Sequence, residues 1–446
     1  MTAHRDSAAA DAIDLAVIAR DHMTPVLGRY FERSWSHGEG HRLYDTAGRG
    51  YLDFANGIAV SALGHRHPAV TAAIHEQVDR LLVPTAAIGF SEPSVRLADE
   101  LAATFPESLD TVFFLNSGSE AIEAALKLAR RTTGRPGIVA YRGAFHGRTL
   151  GAASVTSSNL NYRRGYEPLL PGVHILPFPA AYRDFDGDEA AATERCLRDL
   201  RHLTANVIPA ESIACVIIEP VQGEGGYTPA PTAFLRGLRA FCDEHGILLI
   251  ADEVQSGFGR TGAMWSFEHA GIVPDVVCLA KAIANGLPLS AIVSSRALQE
   301  RWGRGAHGST YGGNPVACAA GRAVLRTILD ERLVANAAAR GGELTAGLQR
   351  IMAEDERVGD VRGPGLMVGV EFVEDRATKA PDGATADALI ARCADDGLLL
   401  LTCGSAHQVV RWIPPLDVTA AEVAEALEIF GDALAGLARP GGGAGD

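Results

Sequence analysis

The feature that most constrains this chain is a set of short, unbroken apolar runs, each closed by polar or charged residues. Residues 111–115, 215–218, 247–251 and 276–280 have strand length and carry almost no polar interruption. Runs that do not alternate with polar residues mark strands covered on both faces, hence a mostly parallel sheet. Helical stretches lie between them, such as 120–131, where Ile122, Ala125, Leu126 and Ala129 fall on one face. The pattern predicts an α/β fold, a mostly parallel sheet covered by helices. With 446 residues the chain has room for one large domain of this kind and a smaller one.

The alternation runs from about 70 to 330. Before it lie one weak helical stretch and, over 43–54, a hairpin of two short strands around a Gly/Asp turn. From about 331 the chain turns to Ala/Arg/Glu-rich helix, then to strands at 367–372, 397–401 and 409–413, then to a last helix ending near Leu437. We expect 1–60 to join the small domain, 61–330 to form the large one and 331–437 to form the C-terminal small domain. The Pro/Gly-rich 438–446 reads as a disordered tail.

Forty basic against 54 acidic side chains give a formal net charge of -14, with no useful run of Lys or Arg. That balance argues against nucleic-acid or anionic-membrane binding, so any anionic ligand must be held by a few placed groups. No apolar stretch approaches the ~20 residues of a membrane span. Cysteines 196, 215, 242, 278, 318, 393 and 403 form no C-x-x-C pair and read as buried structural thiols of a reducing compartment. The N-terminal stretch resembles neither a secretory signal nor a transit peptide, so a cytoplasmic protein is expected.

In parallel sheets ligands gather at the carboxyl ends of the strands. After 111–115 comes Asn116-Ser117-Gly118-Ser119-Glu120, opening an amphipathic helix. Such a turn offers free amides, a hydroxyl and a partial positive charge to a phosphate, or serves simply as an N-cap. Glu219 follows one buried strand, and Asp252 and Glu253 follow the next. Acids in such places are partly desolvated and need a partner, which can be an ordinary salt bridge to Arg. No Walker motif occurs, and Gly363-Pro-Gly365 reads as a tight turn entering a strand. His65 and His67 have no third ligand in view and read as loop or capping residues. There is no G-x-S-x-G nucleophile elbow.

Only three lysines occur. Lys127 and Lys379 look solvated, whereas Lys281 ends the apolar run 276–280. In a chain that otherwise uses Arg for charge, a strand-end Lys suggests an amine that can lose its proton and form an imine. A phosphate cradle, an acid and such a Lys at three strand ends match the needs of pyridoxal 5'-phosphate: an anion site, a carboxylate for the ring nitrogen and an amine for the aldehyde.

The chain resembles the class III aminotransferases, pyridoxal-phosphate enzymes of fold type I, from about 44 to 434. Ile58-Ala59-Val60, Gly64-His65-Arg66-His67-Pro68, Phe145-His146-Gly147-Arg148-Thr149, and the segments 219–226, 251–262 and 400–404 are most similar to those of 4-aminobutyrate aminotransferases. The resemblance implies that 61–330 is the cofactor-binding domain. Lys281 would hold the cofactor aldehyde as an imine and shuttle a proton. Asp252 would keep the pyridine nitrogen protonated. Gly118 and Ser119 would bind the phosphate, Phe145 and Val254 would sandwich the ring, Gln255 would reach its phenolic oxygen, and His146 would pack nearby. Thr310 would complete the phosphate site of a partner subunit in a homodimer, which could pair again into a tetramer.

For substrates, the resemblance makes Arg148 and Arg411 carboxylate sites. Glu224 would pair with Arg411 while an ω-amine is bound and release it for glutamate or 2-oxoglutarate. Ile58 would line the pocket, and Glu219 would steady the arrangement around Arg148. The expected reaction moves the amino group of 4-aminobutyrate or a similar ω-amine to 2-oxoglutarate. Rivals are an ω-aminotransferase acting on ornithine, acetylornithine, lysine or an amino sugar, and an amino-acid racemase on the same fold. A transcription regulator using the fold as a sensor would carry a DNA-binding domain, for which there is neither spare length nor a basic segment.

Overall fold

The computed structural model describes residues 15–83 and 86–438. The expected tail, beyond its first residue, lies outside the described residues. Seven strands form the large sheet, in the spatial order Thr111–Leu115, Ser290–Ser294, Val276–Leu279, Leu248–Asp252, Ile213–Ile218, Gly137–Tyr141, Val173–Leu176. Ser290–Ser294 is antiparallel to both neighbours, so the other six run one way. The sheet is thus mostly parallel, as fold type I requires.

Its strands are buried on both faces because successive side chains go to opposite layers. Cys215, Ile217 and Ile250 pack with Ile122, Ala125 and Ala129 of the helix Gly118–Thr133. Val216, Ile218 and Leu249 pack on the other side with Leu200, Phe234 and Leu238 of two further helices. The helix Gly118–Thr133 is sharply bounded. Ser117 and Glu120 form a capping box at its start, and Gly134 ends it in the left-handed conformation, with φ 71°.

The hairpin expected at 43–54 is present as Arg42–Asp45 and Gly50–Asp53. It belongs to a four-stranded sheet whose last strand, Leu398–Leu399, comes from near the C-terminus. The single strand expected at 397–401 is therefore two. Leu398–Leu399 pairs with Gly50–Asp53, and after Leu400 the strand Leu401–Cys403 joins a different sheet beside Val409–Trp412. Unbroken apolarity hides this break, because both pieces are buried. The strand Ser290–Ser294 also escapes the sequence pattern, since its Ser ends look like turn residues. Among the described residues no helix is long and apolar enough to cross a membrane. Lys379 is not solvated as expected: its Nζ is tied to Asp186 at 2.6 Å and to the Tyr182 carbonyl at 2.7 Å.

Candidate active site

The carboxyl ends of the parallel strands open onto a cavity of about 340 Å³ lined by Gly118, Ser119, Phe145, His146, Glu219, Glu224, Asp252, Val254, Gln255 and Lys281. Lys281 follows the strand Val276–Leu279 and takes a left-handed backbone, φ 48°, which is strained for a residue with a Cβ. Burial pulls its ammonium down to about 8, against the attraction of Glu224, Asp252 and Glu219. The next strand, Leu248–Asp252, ends in Asp252, whose Oδ2 lies 2.7 Å from His146 Nδ1 while Oδ1 accepts the Val254 amide at 3.0 Å. Burial alone would depress the His146 imidazole, but Asp252 and Glu219 hold its pKa above the usual histidine value. Thus His146 is a hydrogen-bond partner of Asp252, a closer role than packing.

Glu219 follows the strand Ile213–Ile218 and is 6% exposed. Its two oxygens accept backbone amides, Phe145 at 2.9 Å and Gly223 at 2.8 Å. Burial raises its pKa to about 7. It therefore fixes the two loops that carry Arg148 and Glu224 by their backbones, and reaches Arg148 only through the chain.

At the helix start the capping box consumes the Glu120 amide, leaving the first amides, Gly118 and Ser119, without intrahelical acceptors. A side chain at 118 would press on Val254, 3.1 Å away, so glycine keeps this corner open. Asn116 Nδ2 donates to Ser309 Oγ at 2.9 Å, which brings the loop carrying Thr310 alongside this strand end. Thr310 itself is exposed and outside the cavity lining.

Arg411 sits in the strand Val409–Trp412, with 0% exposure, and donates to Glu224 Oε1 at 2.5 Å. Arg411 raises no question of charge state, and its proximity pulls the Glu224 carboxyl below its usual pKa although burial opposes this. In register, Arg362, Gly369, Arg411 and Leu401 form one row across the sheet, so Arg362 and Arg411 share a face. The loop bearing Glu224 lies on that face. Arg362 donates to the Gly226 carbonyl through Nε at 3.0 Å and Nη2 at 2.6 Å, and the Gly404 amide donates to the Glu224 carbonyl at 3.0 Å. A Cβ at Gly369 would meet Tyr227 at 2.9 Å, so the loop rests on bare backbone there.

Arg148 is exposed, with its guanidinium carbon 4.6 Å from the Tyr162 ring centroid and 5.8 Å from that of Phe145. Ile58 does not line the cavity. It packs beside Tyr51 and Leu399, at the third position of a left-handed turn in which Asn56, Gly57, Ile58 and Ala59 all have positive φ. The turn brings Val60 into the lining instead. Asn285 holds that loop, accepting the Leu63 amide at 2.9 Å and donating to the Gly64 carbonyl at 3.0 Å. Tyr162, Val60, Asn116 and Tyr30, whose phenolic oxygen accepts from Arg411 at 3.0 Å, were not anticipated. Of these only Asn116, beside the Gly/Ser turn, carried a local signal.

The residues present fit pyridoxal phosphate. A helix N-terminus, a buried carboxylate and a half-buried lysine of lowered pKa face one cavity. Gln255 Oε1 and His146 Nε2 are buried there without a hydrogen-bond partner among the described residues. The fold and this site together define a lysine-centred pyridoxal-phosphate enzyme of fold type I.

The comparisons with known proteins agree. Residues 28–434 match the family Aminotransferase class-III. The chain is 38% identical over 401 residues to the 5-aminovalerate aminotransferase DavT of Pseudomonas aeruginosa, covering 90% of this chain and 93% of that one. It is 44% identical over 398 residues to the acetylornithine aminotransferase of Methanopyrus kandleri, covering 89% and 93%. It is 39% identical over 394 residues to the 4-aminobutyrate aminotransferase GabT of Escherichia coli, covering 88% and 91%. An amine transaminase from an uncultivated Pseudomonas species, solved in its pyridoxal-phosphate-bound form, superposes with a TM-score of 0.87 at 34% identity, covering 93% of this chain and 97% of that one. The chain belongs to the class III aminotransferases, and pyridoxal phosphate is its cofactor.

Proposed function

We propose that this enzyme moves the amino group of 4-aminobutyrate, or of an ω-amine of similar length with a terminal carboxylate, to 2-oxoglutarate, giving an aldehyde and glutamate. One observation carries the reading: a fully buried Arg411 closed by Glu224 beside Lys281. A monocarboxylate amine leaves that pair closed and uses Arg148. A dicarboxylate displaces Glu224 and takes Arg411, each such desolvated pair being worth roughly 1.5–3 kcal/mol.

When bound, pyridoxal phosphate supplies the electron sink for charge at the substrate carbon and carries the amino group between the two halves of the reaction. Lys281, brought to about 8 by burial, sheds and regains its proton near neutrality and is the base at that carbon. Asp252, fixed by His146 and the Val254 amide, presents its charge to the ring nitrogen. The Gly118 and Ser119 amides take the phosphate. Phe145 and Val254 flank the ring, and Gln255 reaches its oxygen. Arg148, set by the rings of Phe145 and Tyr162, takes the amine's carboxylate.

The reading includes a homodimer in which Thr310 reaches the partner's phosphate site. In its support, Leu82, Val83, Ile88, Phe90 and Tyr311 are apolar and 54%, 55%, 79%, 94% and 68% exposed, so they ask for cover. It also includes the division at about residues 60 and 330, and a reducing, cytoplasmic setting, which suits seven buried free cysteines.

A second reading, an acetylornithine-type enzyme, is favoured by the 44% identity to the Methanopyrus kandleri relative. The test is to add single amines to the holoenzyme without oxo acid and follow its visible absorbance. Bleaching by 4-aminobutyrate and recovery with 2-oxoglutarate support the proposal. Bleaching by acetylornithine or ornithine alone shifts the substrate to the second reading. Exchange of a Cα hydrogen without bleaching would make the protein a racemase.

A further inference from the structure

Arg411 has a second partner besides Glu224. Its Nη2 donates to the phenolic oxygen of Tyr30 at 3.0 Å. Tyr30 lies between the first helix, Leu15–His22, and the strand Trp35–Glu39, far from Arg411 in sequence. Its own O–H donates to the Thr402 carbonyl at 3.2 Å, on the strand paired with that of Arg411. With its proton committed to Thr402, the phenol turns a lone pair toward the guanidinium, which has only donors to offer. Partial desolvation at its hydroxyl end raises the pKa of the phenol above the usual tyrosine value, although Arg411 opposes this. Among the described residues Arg411 Nε has no acceptor, and Glu224 and Tyr30 are the side chains that fix this fully buried cation.

We infer that Tyr30 is a positioning residue for Arg411, holding the guanidinium in place when Glu224 gives way to the carboxylate of the oxo acid. The inference rests on the proposed role of Arg411 as the second carboxylate site. Tyr30 thus sets affinity for the dicarboxylate more than for the amine, and the N-terminal segment helps to define substrate choice.

The test is calorimetric binding of glutarate and of butyrate to the holoenzyme. Neither acid has an amine or a carbonyl, so binding is read without turnover. Three proteins are compared: wild type, Tyr30→Phe and Arg411→Gln. Tyr30 is 45% exposed, so losing one hydroxyl leaves the fold intact. In Tyr30→Phe the affinity for glutarate is expected to fall about tenfold more than that for butyrate, the weight of one hydrogen bond to a charged group. An unchanged glutarate affinity, or an equal loss for both acids, overturns the role of Tyr30 provided Arg411→Gln still loses glutarate selectively. If Arg411→Gln binds glutarate as wild type does, the reading of Arg411 itself fails and takes this one with it.

Discussion

The two ends of the cavity are built differently. At the cofactor end, Asp252 and Lys281 stand directly at the ends of neighbouring parallel strands, and His146 is locked to Asp252 inside the protein. Around Glu224, where we place the substrates, Arg148 and Tyr30 also sit on loops or irregular segments, outside the cavity lining, and Arg411 alone belongs to a strand. The first end holds one group that never leaves. In the proposed reaction the second takes two substrates in turn, and there Glu224 is fastened by its backbone carbonyl while its side chain holds Arg411. On that proposal, fixed contacts lie where the chemistry is constant and an exchangeable ion pair where the ligand changes.

Substitutions can break or sharpen that contrast. The largest effect is expected from Lys281→Ala, which removes the imine-forming base and should cut the half-reaction rate by at least about 10⁴-fold, measured by single-turnover absorbance. Asp252→Asn keeps the shape but loses the charge. A fall of about 10²–10³-fold in kcat is expected, as for other preorganised electrostatic groups. Retained activity in either variant would mean that the rigid end is not the chemical one. Glu224→Gln should act selectively. It leaves Arg411 without its carboxylate, so 4-aminobutyrate turnover is expected to worsen about tenfold relative to the 2-oxoglutarate half-reaction, measured as the ratio of the two kcat/KM values. Equal losses in both halves would remove the exchange from the account.

The smallest effect lies outside both ends. His41 sits between Asp417 at 3.0 Å and Glu422 at 2.8 Å, joining the N-terminal hairpin to the last helix, Ala420–Ala435. Burial pulls its imidazole down, but the two carboxylates more than reverse this and raise it from 6.5 to about 9. A raised pKa stabilises the fold fully below pH 6.5 and loses that contribution as pH rises through 9. The unfolding free energy, read from denaturant titrations, should therefore fall across that window by at most about 3 kcal/mol. In His41→Gln the slope should flatten while kcat keeps its pH profile.

The meeting of Asp252 and Lys281 at one cavity was legible in sequence because both follow unbroken apolar runs, and because Lys281 stands out among so few lysines. The mostly parallel sheet was legible for the same reason. The substrate end was less so. Tyr30 and Tyr162 are ordinary aromatic residues of irregular segments, and only the folded chain brings them to Arg411 and Arg148. Ile58 and Val60 are two apolar residues in one short segment, and it takes the left-handed turn through Asn56, Gly57, Ile58 and Ala59 to decide which faces the cavity. The split at Leu400 was hidden because apolar pattern reports burial and not which sheet a residue joins.

The bare stretch of sheet at Gly369 offers a way to retune this enzyme without touching a ligand. The height of the Glu224 loop above Arg411 is set by the missing side chain there, with Arg362 pinning the loop at Gly226. Adding a methyl group at 369 would lift the loop like a shim under a hinge, lengthening the Glu224–Arg411 ion pair that, in our proposal, a dicarboxylate opens. On that proposal, position 369 tunes the relative ease of the two half-reactions from the strand next to that of Arg411.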